Sequence, residues 1–389
     1  MASKASSQAV ASLRHLRGLT KRVHVAAIIR LFPKFAKLLV ALLFLINIRS
    51  WPLAWHIRIF RPVLLRRFQH AWLRARTRFL SRTAQTQAED RWLDSICPIA
   101  ANPQETTITY RSWASPDDSD WNLHMSNSCY PKILDGARLK AAVELFPMFF
   151  RAGGWLPLAA THFHFVKEIP MLSSYEVRLT MGAWDHKWMY VIGKFVCKPN
   201  GKKKRQLVPP PSQPVEGEAT ASQIIALGNG DSEAVTSSIQ SPSGLTPAIN
   251  NITGTDTRAS LNAVAAQLAG KEADGAVLHT IAVSQICFKI GRITIPPSLV
   301  LATNGFTGIS GYTTNAPHPQ WAEAKKIMSY PAGGSPRKLR EFLSGGWKNV
   351  PDNERWWEIA MGPDVEQKRL KNMSLIDDLR KGMESVGSI

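Results

Sequence analysis

Asp120, Asn122, His124, Asn127 and Tyr130 fall within one run of eleven residues, Asp-Trp-Asn-Leu-His-Met-Ser-Asn-Ser-Cys-Tyr, that leads straight into a stretch of helical apolar periodicity. A carboxylate at the head of such a run can take a proton from water or attack an electrophilic carbon itself, and carboxamide and imidazole groups beside it can orient the reactants. The first backbone N–H groups of a helix have no partner within it, so a loop that ends at a helix start offers donors to a developing oxyanion. Chemistry at a carbonyl carbon is what these groups would do together. The same residue types also build turns and caps: Asp120 and Asn122 as Asx-turn formers, Asn127 or Ser128 as an N-cap, Tyr130 as packing.

The elements around the run can be read from period and punctuation. Residues 107–113 alternate as a strand and the turn-rich Ser115-Pro-Asp-Asp-Ser-Asp breaks it. After the run, Ile133, Leu134, Ala137, Ala141, Leu145 and Phe149 share a helical face, with Pro131 in the first turn and Gly153-Gly154 as the break. Strand-like runs follow at 159–169, 175–184 and 187–197, with Trp184-Asp185-His186 as a hairpin turn, and another resumes at 277–289. Residues 198–276 shift to Ser, Thr, Gly, Pro, Ala, Gln and Asn, which predicts a disordered insertion inside the domain. The organisation expected is therefore a basic hydrophobic arm at 1–95, one α+β domain at 104–312 carrying that insertion, and a Trp-rich helical extension at 313–389.

Charge is unevenly placed. Of the 48 Lys and Arg residues, 17 precede or include Arg82, whereas the first acidic residue is Glu89; the other 31 nearly balance all 29 acidic residues. A nucleic-acid footprint should lie on the folded module, so this distribution argues against nucleic acid and for contact with membrane lipid through residues 24–82. Within that arm the unbroken apolar stretch, 38–48, is short for a span, which leaves a short snorkelling span or an interfacial helix open beside a cleaved organelle presequence. A membrane location, at the endoplasmic reticulum rather than the mitochondrion, is the expectation. Cys97, Cys129, Cys197 and Cys287 stand far apart without paired His ligands, so neither zinc nor a disulfide framework is expected. His162 and His164 alternate on one strand face, and the basic run Gly201–Arg205 reads as a solvated charge cluster.

One strand, a loop, one long helix and several antiparallel strands is the order of a sheet wrapped round a helix. The pattern Asp120-x-Asn122-x-His124-Met-x-Asn127-x-x-Tyr130 resembles the signature of hot-dog-fold thioesterases of the 4-hydroxybenzoyl-CoA and plant acyl-carrier-protein types. Pro116-x-Asp118-x-Asp120, Asp135, Arg138 and Trp184-Asp185 resemble a eukaryotic membrane-anchored thioesterase-superfamily subgroup. The likeness covers about residues 106–197 and 277–311. It implies a single hot-dog fold, hydrolysis of an acyl thioester such as acyl-CoA, and Asp120 as general base or nucleophile, with Asn122 and His124 placing water or polarising the carbonyl. It also implies Asn127 and the N–H groups near Ser128 and Cys129 at the substrate oxygen, no cofactor or metal, and a homodimer. By their placement, Tyr130 at the end of the run is a candidate substrate contact, and Lys289 and Arg292 beside the last strand are candidates for the CoA phosphates. Ser126 departs from the family, which usually has Asn there, and no second hot-dog repeat is found. The rival reading is a hot-dog module that binds acyl chains or acyl-CoA, or scaffolds a membrane, without catalysis; a hot-dog dehydratase ranks below both.

Overall fold

The computed structural model describes residues 33–198, 272 and 274–386; the predicted disordered insertion and the basic start of the arm lie almost wholly outside these residues. Three helices come first: α1 over 33–46, α2 at Ala54–Thr77 and α3 at Arg82–Ile96. Strand β1 (Thr107–Trp113) then leads through the run to α4 (Cys129–Leu145) and the short α5 (Pro147–Arg151). Strands β2 (Leu158–Phe165), β3 (Ser174–Trp184), β4 (Trp188–Cys197), β5 (Val277–Ile290) and β6 (Ile293–Ile295) follow. Helices α6 (Pro297–Thr303), α7 (Pro319–Met328), α8 (Pro336–Leu343), α9 (Trp356–Ile359) and α10 (Gly362–Val386) close the chain.

The sheet is antiparallel in the order β1-β3-β4-β5-β2, with β6 added to β5. Successive side chains point to opposite faces, and the consecutive buried residues of β3 and β5 show that these strands are covered on both. The inner face, with Leu179, Met181 and Phe195, meets Ile133, Leu134, Ala137 and Ala141 of α4, all in one apolar core. This is the hot-dog arrangement, a sheet around one helix. The β3–β4 hairpin closes as its sequence predicts: one Asp185 carboxylate oxygen accepts from the amides of Lys187 and Trp188, each at 2.6 Å.

The helix boundary differs from the sequence reading. The apolar periodicity ran on to the glycines at 153 and 154, but α4 stops at Leu145 and Phe149 belongs to α5. The cause is Pro147, which disfavours helical geometry at Phe146 before it; Phe146 sits at φ −127°, ψ 48°.

Regions outside the sheet share its core. Leu93 and Cys97 at the end of α3, and Trp321 and Trp357 of the extension, are buried in the same cluster as α4. Helix α10 covers part of the outer sheet face, packing Ile376 and Leu379 on Ala183, Tyr190 and Val283. Helix α2 crosses α4 where Gly136 omits a side chain: a Cβ there would stand 3.6 Å from Ile59 Cγ1 and 3.2 Å from the Tyr110 hydroxyl. That close approach is what the glycine permits.

Candidate active site

The loop between β1 and α4 is fastened before it reaches Asp120. A 3-10 turn at Pro116–Asp118 turns Asp118 inward, where its side chain is 1% exposed. There Ser115 Oγ donates to its carboxylate at 2.7 Å, Lys132 Nζ lies at 3.3 Å and Arg49 Nη2, from the arm, at 3.5 Å. Burial pushes the Asp118 carboxyl upward, but the Ser115 bond and the two cations outweigh it and hold the group below the ordinary carboxylate value. Its carbonyl oxygen in turn accepts the Ser126 amide at 2.9 Å. Arg49 also donates to Ser112 Oγ at 3.0 Å and lies over the Trp113 ring. Asp118 is thus the anchor of the loop.

Asp120 is left less committed. Its Oδ1 accepts the Asn122 amide at 2.9 Å, an Asx turn, and its Oδ2 lies 3.3 Å from His124 Nδ1. Its own amide donates to the His124 carbonyl at 2.9 Å, which closes residues 120–124 into a tight loop with Leu123 in the left-handed region at φ 60°. A non-glycine residue there costs free energy and persists only where the surroundings enforce it. The enforcing contacts come from the segment after β2: Met125 donates to the Ile169 carbonyl at 2.8 Å, and Met171 to that of Leu123 at 2.8 Å. The same segment brings Glu168 Oε1 to 3.6 Å from His124 Nε2, so the imidazole stands between two carboxylates.

No spacing rule connects Glu168 to the run, and the sequence reading missed it. It also missed His279, buried in β5, whose Nδ1 donates to the Glu168 carbonyl at 2.9 Å. Burial is the main reason the His279 imidazole titrates below its usual range.

The start of α4 carries no side-chain cap: Ser128 is the N-cap residue but bonds no helix amide, and its Oγ instead lies 3.0 Å from Ser126 Oγ. The Cys129 amide, expected as an oxyanion donor, is already taken by the Ser126 carbonyl at 2.9 Å. Among the described residues the amides of Asn127, Ser128 and Tyr130 make no such bond, so the free donors of this helix start are those. Asn122, Asn127 and Ser128 are exposed.

Two expected substrate contacts lie elsewhere, and the side chain of a third turns into the core. Tyr130 is 2% exposed and packs its ring on Phe165 and Phe195, at 5.1 and 4.9 Å, which makes it a core anchor. Lys289 and Arg292 sit at the β5–β6 turn, ten residues beyond His279 along the chain, roughly 30 Å at the rise of a strand. Within one chain they do not reach the run. The Cys129 thiol is buried, and burial followed by the nearby Asp118 charge pushes its pKa up, so it is not a ready nucleophile.

Beside α4 lies a cavity of about 380 Å³, lined mostly by apolar side chains that include Ala142, Leu145, Leu179, Val191 and Ile286. Asp135 and Arg138 also line it, and Arg138 braces the helix to the sheet by donating to Thr161 Oγ1 at 2.9 Å and Ser284 Oγ at 3.1 Å. Asp135 stands six residues into α4 from Cys129, about 9 Å from the helix start.

Residues 114–224, which include the run, α4 and three strands of the sheet, match the model of the thioesterase-like superfamily. This segment is a thioesterase-like domain. Curated relatives agree in kind: thioesterase lcsJ of Purpureocillium lilacinum is 27% identical over 201 residues, covering 43% of this chain and 61% of that protein. A probable thioesterase of Saccharomyces cerevisiae, YBR096W, is 32% identical over 90 residues, 22% of this chain and 39% of that protein. The chain thus spans between about two fifths and three fifths of the length of these two relatives. Among solved structures, the 1,4-dihydroxy-2-naphthoyl-CoA thioesterase of Synechocystis matches at 11% identity and a TM-score of 0.27, covering 51% of this chain and 96% of that one. The thioesterase-like domain is framed here by the arm, which reaches it through Arg49 and Ile59, and by the C-terminal helices, which complete its core.

Proposed function

We propose that the protein hydrolyses an acyl thioester, acyl-CoA or a related compound, at the start of α4. The observation that carries this is the half-exposed Asp120 carboxylate, held by His124 at 3.3 Å in the loop that ends at an uncapped helix start. Asp120 acts as general base on water or adds to the carbonyl carbon itself. As a base, Asp120 takes a proton from water as the oxygen adds to the carbonyl carbon and returns it to the thiolate when the C–S bond breaks; as a nucleophile, it forms a mixed anhydride as the thiolate leaves, and water then cleaves that anhydride, giving the acid, the free carboxylate and the proton the thiolate takes up. On either route the negative charge that develops on the carbonyl oxygen meets the free amides at residues 127, 128 and 130. His124 holds Asp120 in position and Glu168 holds His124. Asn122 fixes the Asp120 rotamer through its backbone, with its exposed carboxamide available to the substrate. The apolar cavity along α4 accepts the acyl chain, since it begins one to two helix turns from the reacting carbon and is of ligand-binding size.

The protein works as a homodimer on this reading. Strand β2 stands at the sheet edge and is paired on one side among the described residues, which leaves its other edge able to pair with a second copy. The arm associates with membrane lipid. The full chain, supplied with a panel of acyl-CoAs of increasing length, is expected to release free CoA, and Asp120→Asn to abolish release with an unchanged melting curve. Saturable acyl-CoA binding without turnover in the wild type would instead make the domain a binding module.

A further inference from the structure

Helix α2 packs one face on the domain and leaves an apolar stripe on the other. The inner face seats Ile59, 6% exposed, against Gly136 of α4, and turns Val63, Arg66 and His70 toward the cleft between α3, α4 and α5. The outer face presents Ile57, Phe60, Leu64, Phe68 and Trp72, exposed by 65, 47, 54, 67 and 58%. Their spacing of three or four residues lines them up in one stripe about 22 Å long. Helix α1 continues the pattern with Phe35, Leu39, Leu43 and Phe44 exposed, and the corner between the helices is set by Trp51, whose indole N–H donates to the Phe44 carbonyl at 2.9 Å. Of the exposed large apolar side chains among the described residues, 19 of 32 lie between Phe35 and Leu80. So dense a concentration marks a contact surface rather than ordinary scatter.

The charges around the stripe select its occupant. Arg61, Arg67, Arg74, Arg76 and Arg78 are exposed along or just beyond α2, and no acidic residue occurs before Glu89. A second copy docking by a two-fold axis would set this all-basic surface against itself, which is repulsive. An anionic bilayer supplies both what the stripe lacks, an apolar phase, and what the arginines lack, negative charge. No described helix is long and apolar enough to cross a membrane. Because α2 is pinned along its inner face to α4, it can meet a bilayer only side-on.

From this we infer that α2 lies in the plane of an anionic membrane surface, its outer stripe in the headgroup boundary and its inner face fixed to the thioesterase-like domain. Arg49, at the corner between α1 and α2, then holds the anchor Asp118 of the catalytic loop beside that surface. The inference rests on the reading of the arm as lipid-contacting and is independent of hydrolysis.

The test is flotation of the full chain with vesicles of pure phosphatidylcholine and of phosphatidylcholine with about 30% phosphatidylserine. Two variants accompany the wild type, Phe60→Glu/Leu64→Glu/Phe68→Glu and Arg61→Glu/Arg67→Glu/Arg74→Glu, each checked by circular dichroism. The wild type is expected to prefer the anionic vesicles, and both variants to bind them at least tenfold more weakly. The arginine variant leaves the apolar stripe intact and so reports even where the first variant fails to fold. Wild type that floats with neither vesicle would overturn the lipid reading of the arm as a whole. Variants that bind like wild type would keep that reading and overturn the assignment to α2. Equal wild-type binding to both vesicles would overturn the role of the arginines, and a change of the first variant from dimer to monomer in sedimentation would give the stripe to a second copy.

Discussion

The two ends of α4 are built on opposite terms. At the C-terminal end, Phe146 and Phe149 meet Phe288 edge-on at 5.0 and 5.2 Å, and the Met148 amide donates to the buried Asn304 side-chain oxygen at 2.9 Å. At the N-terminal end no side chain caps the helix, amides stay free, and Asp120 rests half-exposed on a single imidazole and one amide. Packing at one end supplies stability that allows the other to leave a carboxylate and N–H donors uncommitted. A site built from groups that were all satisfied would have nothing left to offer a transition state.

Phe149→Ala, at a fully buried ring of the packed end, is expected to cost about 3–5 kcal/mol in urea unfolding, the largest stability effect considered. A loss below about 1 kcal/mol would mean this end is not the fastening. Asp118→Ala comes next, at about 2 kcal/mol, because Ser115 loses its acceptor and Arg49 and Lys132 lose their counter-charge. It should lower kcat as well, since the Ser126 turn and the loop lose their anchor, whereas the substitution at Asp120 should lower kcat alone. Leu123→Gly should raise stability by roughly 0.5 kcal/mol, the relief of a left-handed backbone less the entropy of glycine, as read by thermal unfolding.

The smallest effect concerns pH. The His279 imidazole titrates lower folded than unfolded, so the unfolded chain binds more protons and stability falls as pH drops below about 6.5. Stability measured between pH 7 and 5 should therefore decline less steeply in His279→Gln than in wild type. An identical slope would show that burial does not hold the His279 imidazole neutral in the folded protein.

Much of this contrast was legible in the sequence, and its limits were physical. Strand β1, the β3–β4 hairpin and the apolar positions of α4 follow from local periodicity and turn chemistry, which act within a few residues. The end of α4 was misplaced because the periodicity ran on past Pro147 into α5 while the backbone turned. Asp120 and His124, four apart, could be grouped from spacing. Glu168 and His279 could not, because a loop after β2 and a strand beyond a long insertion bring them there. The different duties of Asp118 and Asp120, only two residues apart, depend on which side of the 3-10 turn each faces, and on an arginine 69 residues upstream of Asp118. For Tyr130 the run allowed both packing and a substrate contact, and the fold uses the ring for packing on Phe165 and Phe195.

The most direct measurement is steady-state hydrolysis of acyl-CoA by Asp120→Asn beside wild type, with the melting curves of both recorded. Asparagine keeps the shape and the acceptor for the Asn122 amide but cannot take a proton or attack as a carboxylate. The account predicts a fall in kcat of about 10²–10⁴ with Tm unchanged. Turnover equal to that of wild type would contradict it.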